Sequence, residues 1–518
     1  MNLLKSLFRM SSITMCSRIL GFVRDTIIAR VFGVSTITDS FFIAFKLSNF
    51  LRRIFAEGAC YQIFLPILSE YKCFANNDEI RIFISRTFGL LIMVLIIVIF
   101  IGLLVAPWII TFTVPGFNNF SEKFSLTILL FRIMLPYTLF ISMASLMGAI
   151  LNTWNFFLVP AFIPIFLNIS MIGFMLFLSY FNLYSPIMGL SWSVFIGGLV
   201  QCMYCLPFLK KIRLLVLPSI SFKDNRVRRM CRSMGLMLIA IFSNQMSLTI
   251  NTIFASFLPD GSISWMYYAD RIIELPIGIF GVTITTILLP CLSKFIARGN
   301  DTEYINLINW GIKLCCIFSL PSAFILGLLS KPLIITLFQY GKFSEWDVLM
   351  TQYSVIAYSV GLPGLILVKI LTAGFYSRYD IKTPIQIIII TVIFTQFMNL
   401  ICIHTLRHVT FACSISLGAW LNVGLLFWKL KKKYAFQLAT QWLFFFCQLM
   451  MSIVVMCVVL YFTESVVCVG DCLQNNVFII RLLKIISIFI ISIGSYFVML
   501  WLLGLRLKDF NFLSKDSN

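Results

Sequence analysis

Clustered carboxylates are scarce in this chain of 518 residues, which sets 20 Asp and Glu against 40 Lys and Arg. The adjacent pair Asp78 and Glu79 falls in a loop, where a solvated turn accounts for it. A membrane-embedded glycosyl- or phosphotransferase needs clustered carboxylates or a metal site at a membrane face, so that class is disfavoured. Histidine is rarer still: His404 and His408, flanking a short outward loop, are the only two and read as surface residues. The 15 cysteines are scattered, and the one C-x-x-C, Cys202 with Cys205, sits in an apolar stretch without a partner pair or a nearby His. Packing rather than zinc is the reading there. The motifs G-x-x-x-x-G-K-S/T, G-x-S-x-G and H-E-x-x-H are missing from any context that would make them nucleotide, acyl-enzyme or metalloprotease sites. No A-x-A-like cleavage site follows a short apolar core at the N-terminus, so no removable signal peptide is expected.

Charge as a whole is thin, at 12% of residues against 60% hydrophobic. One soluble core cannot hide that much apolar surface, and the apolar stretches recur at spanning length. Windows of about 20 residues give about fourteen spans. They fall near 10–32, 40–69, 87–112, 127–150, 156–180, 187–209, 233–257, 268–293, 310–330, 350–373, 384–404, 409–429, 441–462 and 477–504. Most Lys and Arg outside the spans lie in one alternate set of loops, from Lys5 and Arg9 through Lys210 to Arg232 and the run Lys429 to Lys433. The opposite set holds little beyond Lys123, Lys331, Lys342 and Arg407, which places both termini in the cytoplasm. Topology and anionic headgroups therefore explain the net charge of +20, and no nucleic-acid partner is expected.

The basic loop divides the chain. We expect a first six-span lobe over 1–212, a cytoplasmic linker over 213–232, a second six-span lobe over 233–433, and a C-terminal helix pair with a short tail over 434–518. A weak internal repeat agrees with this division: Gly148 to Asn155 followed by Pro160 resembles Gly374 to Asp380 followed by Pro384. Parallel repeats with a substrate between lobes are a common transporter plan, although Gly-polar-Pro is also how any helical hairpin turns. Cys468 and Cys472 share an outward loop, Thr463 to Asn476, where an oxidising compartment could join them.

Arg18, Arg24, Asp25, Asp39, Lys46, Arg52, Arg53 and Glu57 all lie in the first sixty residues, inside otherwise apolar stretches. An ionised group near the bilayer centre costs at least about 2.5 kcal/mol, so such residues face a bundle interior or a wet cavity. At about 100° per residue, Asp39, Lys46, Arg53 and Glu57 share one face of the second span, and Arg18 and Asp25 one face of the first. Asp270, Arg271 and Glu274 add charge at the outward end of the eighth span. Ion pairing between helices explains part of this set, but cations exceed anions on spans one and two. Unmatched positive charge calls for an anionic ligand, and the guanidinium fork suits phosphate.

Those residues carry a resemblance. The opening MNLLKSLFRMSSITMCSRILGFVRDTIIARVFG, then TDSFFIAFKLSNFLRRIFAEGACYQIFLPILSEY, GAILNTWN, NTIFASFL, SWMYYADRI and LFQYGKF, resemble the MurJ (MviN) family of lipid II flippases. The similarity runs from residue 1 through the twelfth span and weakens over the last two. It implies the multidrug/oligosaccharidyl-lipid/polysaccharide exporter fold: all-α, two six-helix lobes in a V around a cationic cavity, and two C-terminal helices forming a hydrophobic groove for a prenyl tail. Its implied substrate is lipid II, a polyprenyl diphosphate carrying a disaccharide-pentapeptide, moved by alternating access from the cytoplasmic to the outer leaflet of the inner membrane for cell-wall synthesis. The family's cavity arginines fall on Arg18, Arg24, Arg52 and Arg271, with Asp25, Asp39, Lys46 and Glu57 as further polar positions. Periodicity favours Arg53 over Arg52; the resemblance favours Arg52, and we follow it. No cofactor is implied, and the driving force is a membrane potential or a coupling ion. The expected partners are lipid II and membrane lipids, with the chain working as a monomer near other cell-wall synthesis proteins. The alternative is another exporter of the same superfamily, for a polysaccharide-lipid or a drug. A pocket for cationic drugs should be net acidic and aromatic, whereas this one is net basic. An interaction scaffold has no need of buried arginines.

Overall fold

The computed structural model describes all residues except 1–2, 61–63, 65–66, 69–71, 73–75, 155, 157, 178–184, 221–244, 246–248, 379, 381, 435–441, 468–477 and 506–518. Cys468, Cys472 and most of the basic linker therefore lie outside the described residues, as does the side chain of Glu57. Everything regular in the described residues is helical. Eleven helical stretches among them are long and apolar enough to cross a membrane. The chain forms two compact units, Met1–Ser264 and Trp265–Asn518.

In the first unit, α1 (Leu3–Phe32) and α2 (Thr36–Arg52) are followed directly by a π-helical segment, Arg53–Cys60. Gly33, at φ +67°, closes α1 in the left-handed conformation that a side chain disfavours. Ser35 then opens α2 with a capping box: its Oγ accepts from the Thr38 amide while the Thr38 hydroxyl accepts from the Ser35 amide. Next come α3 (Asn77–Thr113), a 3-10 turn (Pro115–Asn119), α4 (Ser121–Met134), α5 (Tyr137–Thr153), α6 (Leu158–Phe177) and α7 (Pro186–Lys211). α4 and α5 form one crossing, broken at Leu135–Pro136, where proline supplies no amide proton. α1 packs on α6, α6 on α7, α5 on α7, and α2 on α4.

Past α7 the chain runs as an extended strap along the start of α3. Arg81 donates from Nε and Nη2 to the Arg213 carbonyl at 3.0 and 2.8 Å. The Ser219 amide donates to the Ser85 carbonyl at 3.1 Å, and Ser85 Oγ donates to the Leu217 carbonyl. A Cβ on Gly89 would lie 2.2 Å from the Ser219 carbonyl oxygen, so only glycine admits the strap there. The unit ends with a helical stretch at 249–255 and a turn through Gly261.

The second unit holds α8 (Ser262–Pro276, its first three residues in the first unit), a π-helical turn (Ile277–Gly281), α9 (Val282–Ala297), α10 (Asp301–Leu328), α11 (Ser330–Phe338), α12 (Glu345–Ser377), α13 (Lys382–Leu406), α14 (Val409–Tyr434), α15 (Trp442–Val467) and α16 (Phe478–Leu502). α12 is the central helix and packs against α9, α10, α11 and α14. Ser344 caps it, sharing reciprocal bonds with Asp347. α15 and α16 pair with each other, and both touch α10. Several buried hydroxyls in these helices bond carbonyls one turn back, as Ser452 does with Gln448 and Ser414 with Phe411, which satisfies them away from water.

His408 corrects the surface reading. It is 4% exposed, stands 5.0 Å from the Trp265 ring and bonds the Met350 carbonyl through Nε2 at 2.9 Å.

Candidate functional site

α1 carries three of the expected site residues into two environments. Arg18 is exposed, and Cys16 beside it is an exposed thiol. Arg24 and Asp25 are buried, at 5% and 0% exposure. The Arg24 guanidinium donates from Nε and Nη2 to Asp25 Oδ1, at 2.9 and 2.7 Å, and from Nη1 to Asn168 Oδ1 at 3.0 Å. It also stands 5.5 Å from the Phe45 ring centroid. Asn168 of α6 is fixed in turn, since its amide donates to the Ser17 carbonyl at 3.1 Å. Arg24 is thus paired within its own helix and oriented by α6, whereas Arg18, six residues earlier, is exposed. Asn168 was not foreseen; a lone Asn in an apolar run gives no sign of the helix it will meet.

On α2, Lys46 is exposed, and its Nζ donates to Thr252 Oγ1 at 2.8 Å. Arg52 donates from Nε to Asn49 Oδ1 at 2.9 Å, and Arg53 from Nη1 to Gln245 Oε1 at 3.5 Å. Both arginines are partly exposed. Asp39, Lys46 and Arg53 follow one another at seven-residue steps, and from Arg53 the winding becomes π-helical, which changes the angular step toward Glu57. Glu57 lies in that winding.

Asp39 stands apart from the cations of its helix, at 1% exposure. Its Oδ1 accepts from the Ser264 amide at 3.0 Å and hydroxyl at 2.6 Å, and its Oδ2 accepts from the Gly261 amide at 2.7 Å. A carboxylate so placed satisfies amides at the first turn of α8 and favours the helix dipole. Lys123 completes the cluster: Nζ is 3.7 Å from Asp39, 2.6 Å from Asp260, and 3.9 Å from the Phe117 ring centroid. Burial would raise the Asp260 carboxyl, but the bonds from Lys123 and Thr36 hold it below its ordinary range. The sequence marked Lys123 only as a rare cation on the outward side.

In the second unit Arg271 is partly exposed, its side chain at 31%. Nη1 donates to Glu274 Oε2 at 2.9 Å and Nη2 to Tyr267 Oη at 3.0 Å, with the Tyr267 ring centroid 4.8 Å away. The Gly374 turn of the repeat is a tight lock. Arg378 lies between the rings of Tyr304 and Tyr434, at 4.3 and 4.4 Å, and pairs with Asp301. Asp380 opens α13, accepting from Thr383 and from Lys433 at 2.7 Å. Burial pulls its carboxyl upward, but these bonds win and set it at about 2. The matching turn in the first unit has Lys72 donating to the Thr153 carbonyl at 2.6 Å, 5.1 Å from the Trp154 ring centroid.

Charged residues held inside a bundle of helices of spanning length define a multipass membrane-protein fold. A multidrug resistance MATE family transporter of the MOP superfamily, in an inward-facing conformation, shares that fold at TM-score 0.66, covering 83% of this chain and 98% of its own at 12% identity. A solved structure of lipid II flippase MurJ in an inward closed conformation aligns at TM-score 0.78 with 25% identity, over 95% of this chain and 97% of that one. The family model for lipid II flippase MurJ matches residues 28–478. A probable lipid II flippase MurJ of Buchnera aphidicola subsp. Baizongia pistaciae is 44% identical over 98% of this chain and 99% of its own length. The lipid II flippase MurJ of Burkholderia cenocepacia is 36% identical over 98% and 99%. The chain belongs to the lipid II flippase MurJ family.

Proposed function

We propose that this chain moves lipid II from the cytoplasmic to the outer leaflet of the inner membrane, as a transporter that makes and breaks no bond, and so serves peptidoglycan synthesis. The observation that carries this is family membership over nearly the whole chain, at 44% identity to a relative of matching length. The side chains suit it. Arg18, Lys46, Arg52 and Arg271 are cations with exposed surface on helices otherwise built of apolar residues, and a diphosphate is the anion such donors fit. We assign them to the headgroup, with Arg24 and Asp25 as a buried pair that shapes the wall. Asp39 is assigned to holding α8, and Glu57 remains a cavity position by resemblance.

The finer architecture belongs to this proposal. Fourteen crossings result if α1, α2 with its π-helical continuation, and the stretch around 233–257 join the eleven apolar spans. They would form two six-helix lobes, 1–212 and 233–433, in a V around the cavity, with the linker 213–232 and both termini cytoplasmic and the pair over 434–518 against the second lobe. The chain would act as a monomer by alternating access near other cell-wall synthesis proteins, driven by membrane potential or a coupling ion. The test is reconstitution in liposomes with labelled polyprenyl-diphosphate sugar. Label should become accessible on the far leaflet with this chain and stay protected without it; equal protection in both would overturn the proposal.

A further inference from the structure

Lys313 is the only basic residue of α10, and the arginine constellation makes no use of it. Among the described residues it has no ion pair and no hydrogen bond. The acidic residues of its own helix, Asp301 and Glu303, are ten or more positions earlier, about 15 Å along the axis, and Asp301 is engaged by Arg378. Instead, its ammonium faces the rings of Trp442 and Phe445 on α15, at 5.9 and 5.6 Å from their centroids. Those rings are 8% and 3% exposed, while Lys313 itself is partly open. Two aromatic faces attract a cation without neutralising it.

The depth of this group is set by its neighbours. Trp442 is the first described residue of α15, and its indole donates to Asn309 Oδ1, one turn before Lys313, at 3.3 Å. Gln448 donates to the Leu503 carbonyl, just past the end of α16, at 2.6 Å. Lys313 therefore lies near the level at which α16 finishes, beside a tryptophan of its antiparallel partner. At that depth the bilayer offers phosphate as its anion, and tryptophan is the residue that marks the boundary. Below it the exposed side chains Leu443, Phe444 and Val454 present hydrocarbon to acyl or prenyl chains.

We infer that Lys313, framed by Trp442 and Phe445, binds a lipid phosphate at the headgroup end of the α15–α16 pair. The phosphate accepts from the ammonium while its chain lies along the helix pair. The inference rests on the membrane placement of these helices and on no particular direction of transport, so it can fail while the proposed function stands.

The test is native mass spectrometry of the full chain in detergent, titrated with polyprenyl monophosphate, phosphatidylglycerol and uncharged polyprenol. K313Q should weaken one or both phosphate lipids about tenfold, leave polyprenol unchanged, and be rescued by K313R. Loss for the polyprenyl phosphate alone would assign the site to the carrier lipid; loss for both would assign it to lipid phosphate in general, and either supports the site. Unchanged binding of both overturns it. Should K313Q fail to accumulate, the unaltered chain serves: added polyprenyl monophosphate or phosphatidylglycerol should shield the Lys313 amine from an acylating reagent, and equal labelling with and without them overturns the inference.

Discussion

Arg18 and Arg24 sit six positions apart on one helix, yet substitution should separate them. Removing the Arg24 guanidinium leaves Asp25, fully buried, without the two charge-assisted bonds it accepts from that group. Breaking a buried pair in this way costs about 3–5 kcal/mol, so R24A should lose both thermal stability and transport. Arg18 is exposed, and R18A should abolish transport with stability changed by less than about 0.5 kcal/mol. Melting in detergent together with a liposome flipping assay distinguishes the two; equal melting losses would contradict the geometry. His408 makes the second prediction at this scale. Burial lowers its pKa from 6.5, with Arg407 acting in the same direction and the Met350 carbonyl opposing. The neutral ring is the folded form, so its stability is complete above about pH 6.5 and is lost as pH falls toward the depressed folded value. The melting temperature should therefore drop between pH 7.5 and 5 in the natural chain and follow a flatter profile in H408Q.

Where a described helix brings a glycine against the backbone of another helix, the closest approach is at the crossing of α12 and α14. A Cβ on Gly361 would come 2.3 Å from Ser416 Oγ and 2.5 Å from its Cα, a backbone atom with no freedom to move aside. G361V should destabilise the second unit by about 1–3 kcal/mol or more, read as a lowered melting temperature, whereas G424V, which meets nothing within 4 Å, should not. Helices were the most legible level in the sequence, because length and hydropathy are local properties. The spans expected near 87–112, 350–373 and 409–429 fall inside α3, α12 and α14. Less legible was the face each helix shows. The 100° rule assumes α-helical winding all the way from Asp39 to Glu57, whereas the winding becomes π-helical at Arg53, and hydropathy carries no trace of that change. Asn168 and Lys123 escaped for another reason: their partners, Arg24 and Asp39, are 144 and 84 positions away.

For the molecule as a whole, the C-terminal helices pose the clearest question. α15 and α16 are tied to α10 at Trp442–Asn309 and by Tyr496, whose hydroxyl donates to the Ile317 carbonyl at 2.8 Å. Removing both by truncation after Lys433 should reduce flipping of a full-length prenyl substrate more than that of a short-chain analogue, at equal protein in the liposomes. Intact transport of the long substrate would show the pair to be dispensable for the tail. Family and fold class were legible because a dense run of motifs sits in the first seventy residues. The buried wiring of Arg24, Asp39 and Arg378 was not, since it exists only once distant helices meet.

The strap along α3 sets an order of events during synthesis. Arg81 is made 132 residues before the carbonyl of Arg213 that it will hold. At roughly 5–20 residues per second, α3 waits on the order of ten seconds after leaving the ribosome before its cover exists. Through that interval the Gly89 surface is bare, and a nascent chain stopped at Lys211 would keep it so. Membrane insertion of the early helices and completion of their fold are therefore separate steps, and a chaperone or quality-control protease acting on this chain has a defined window in which to recognise it.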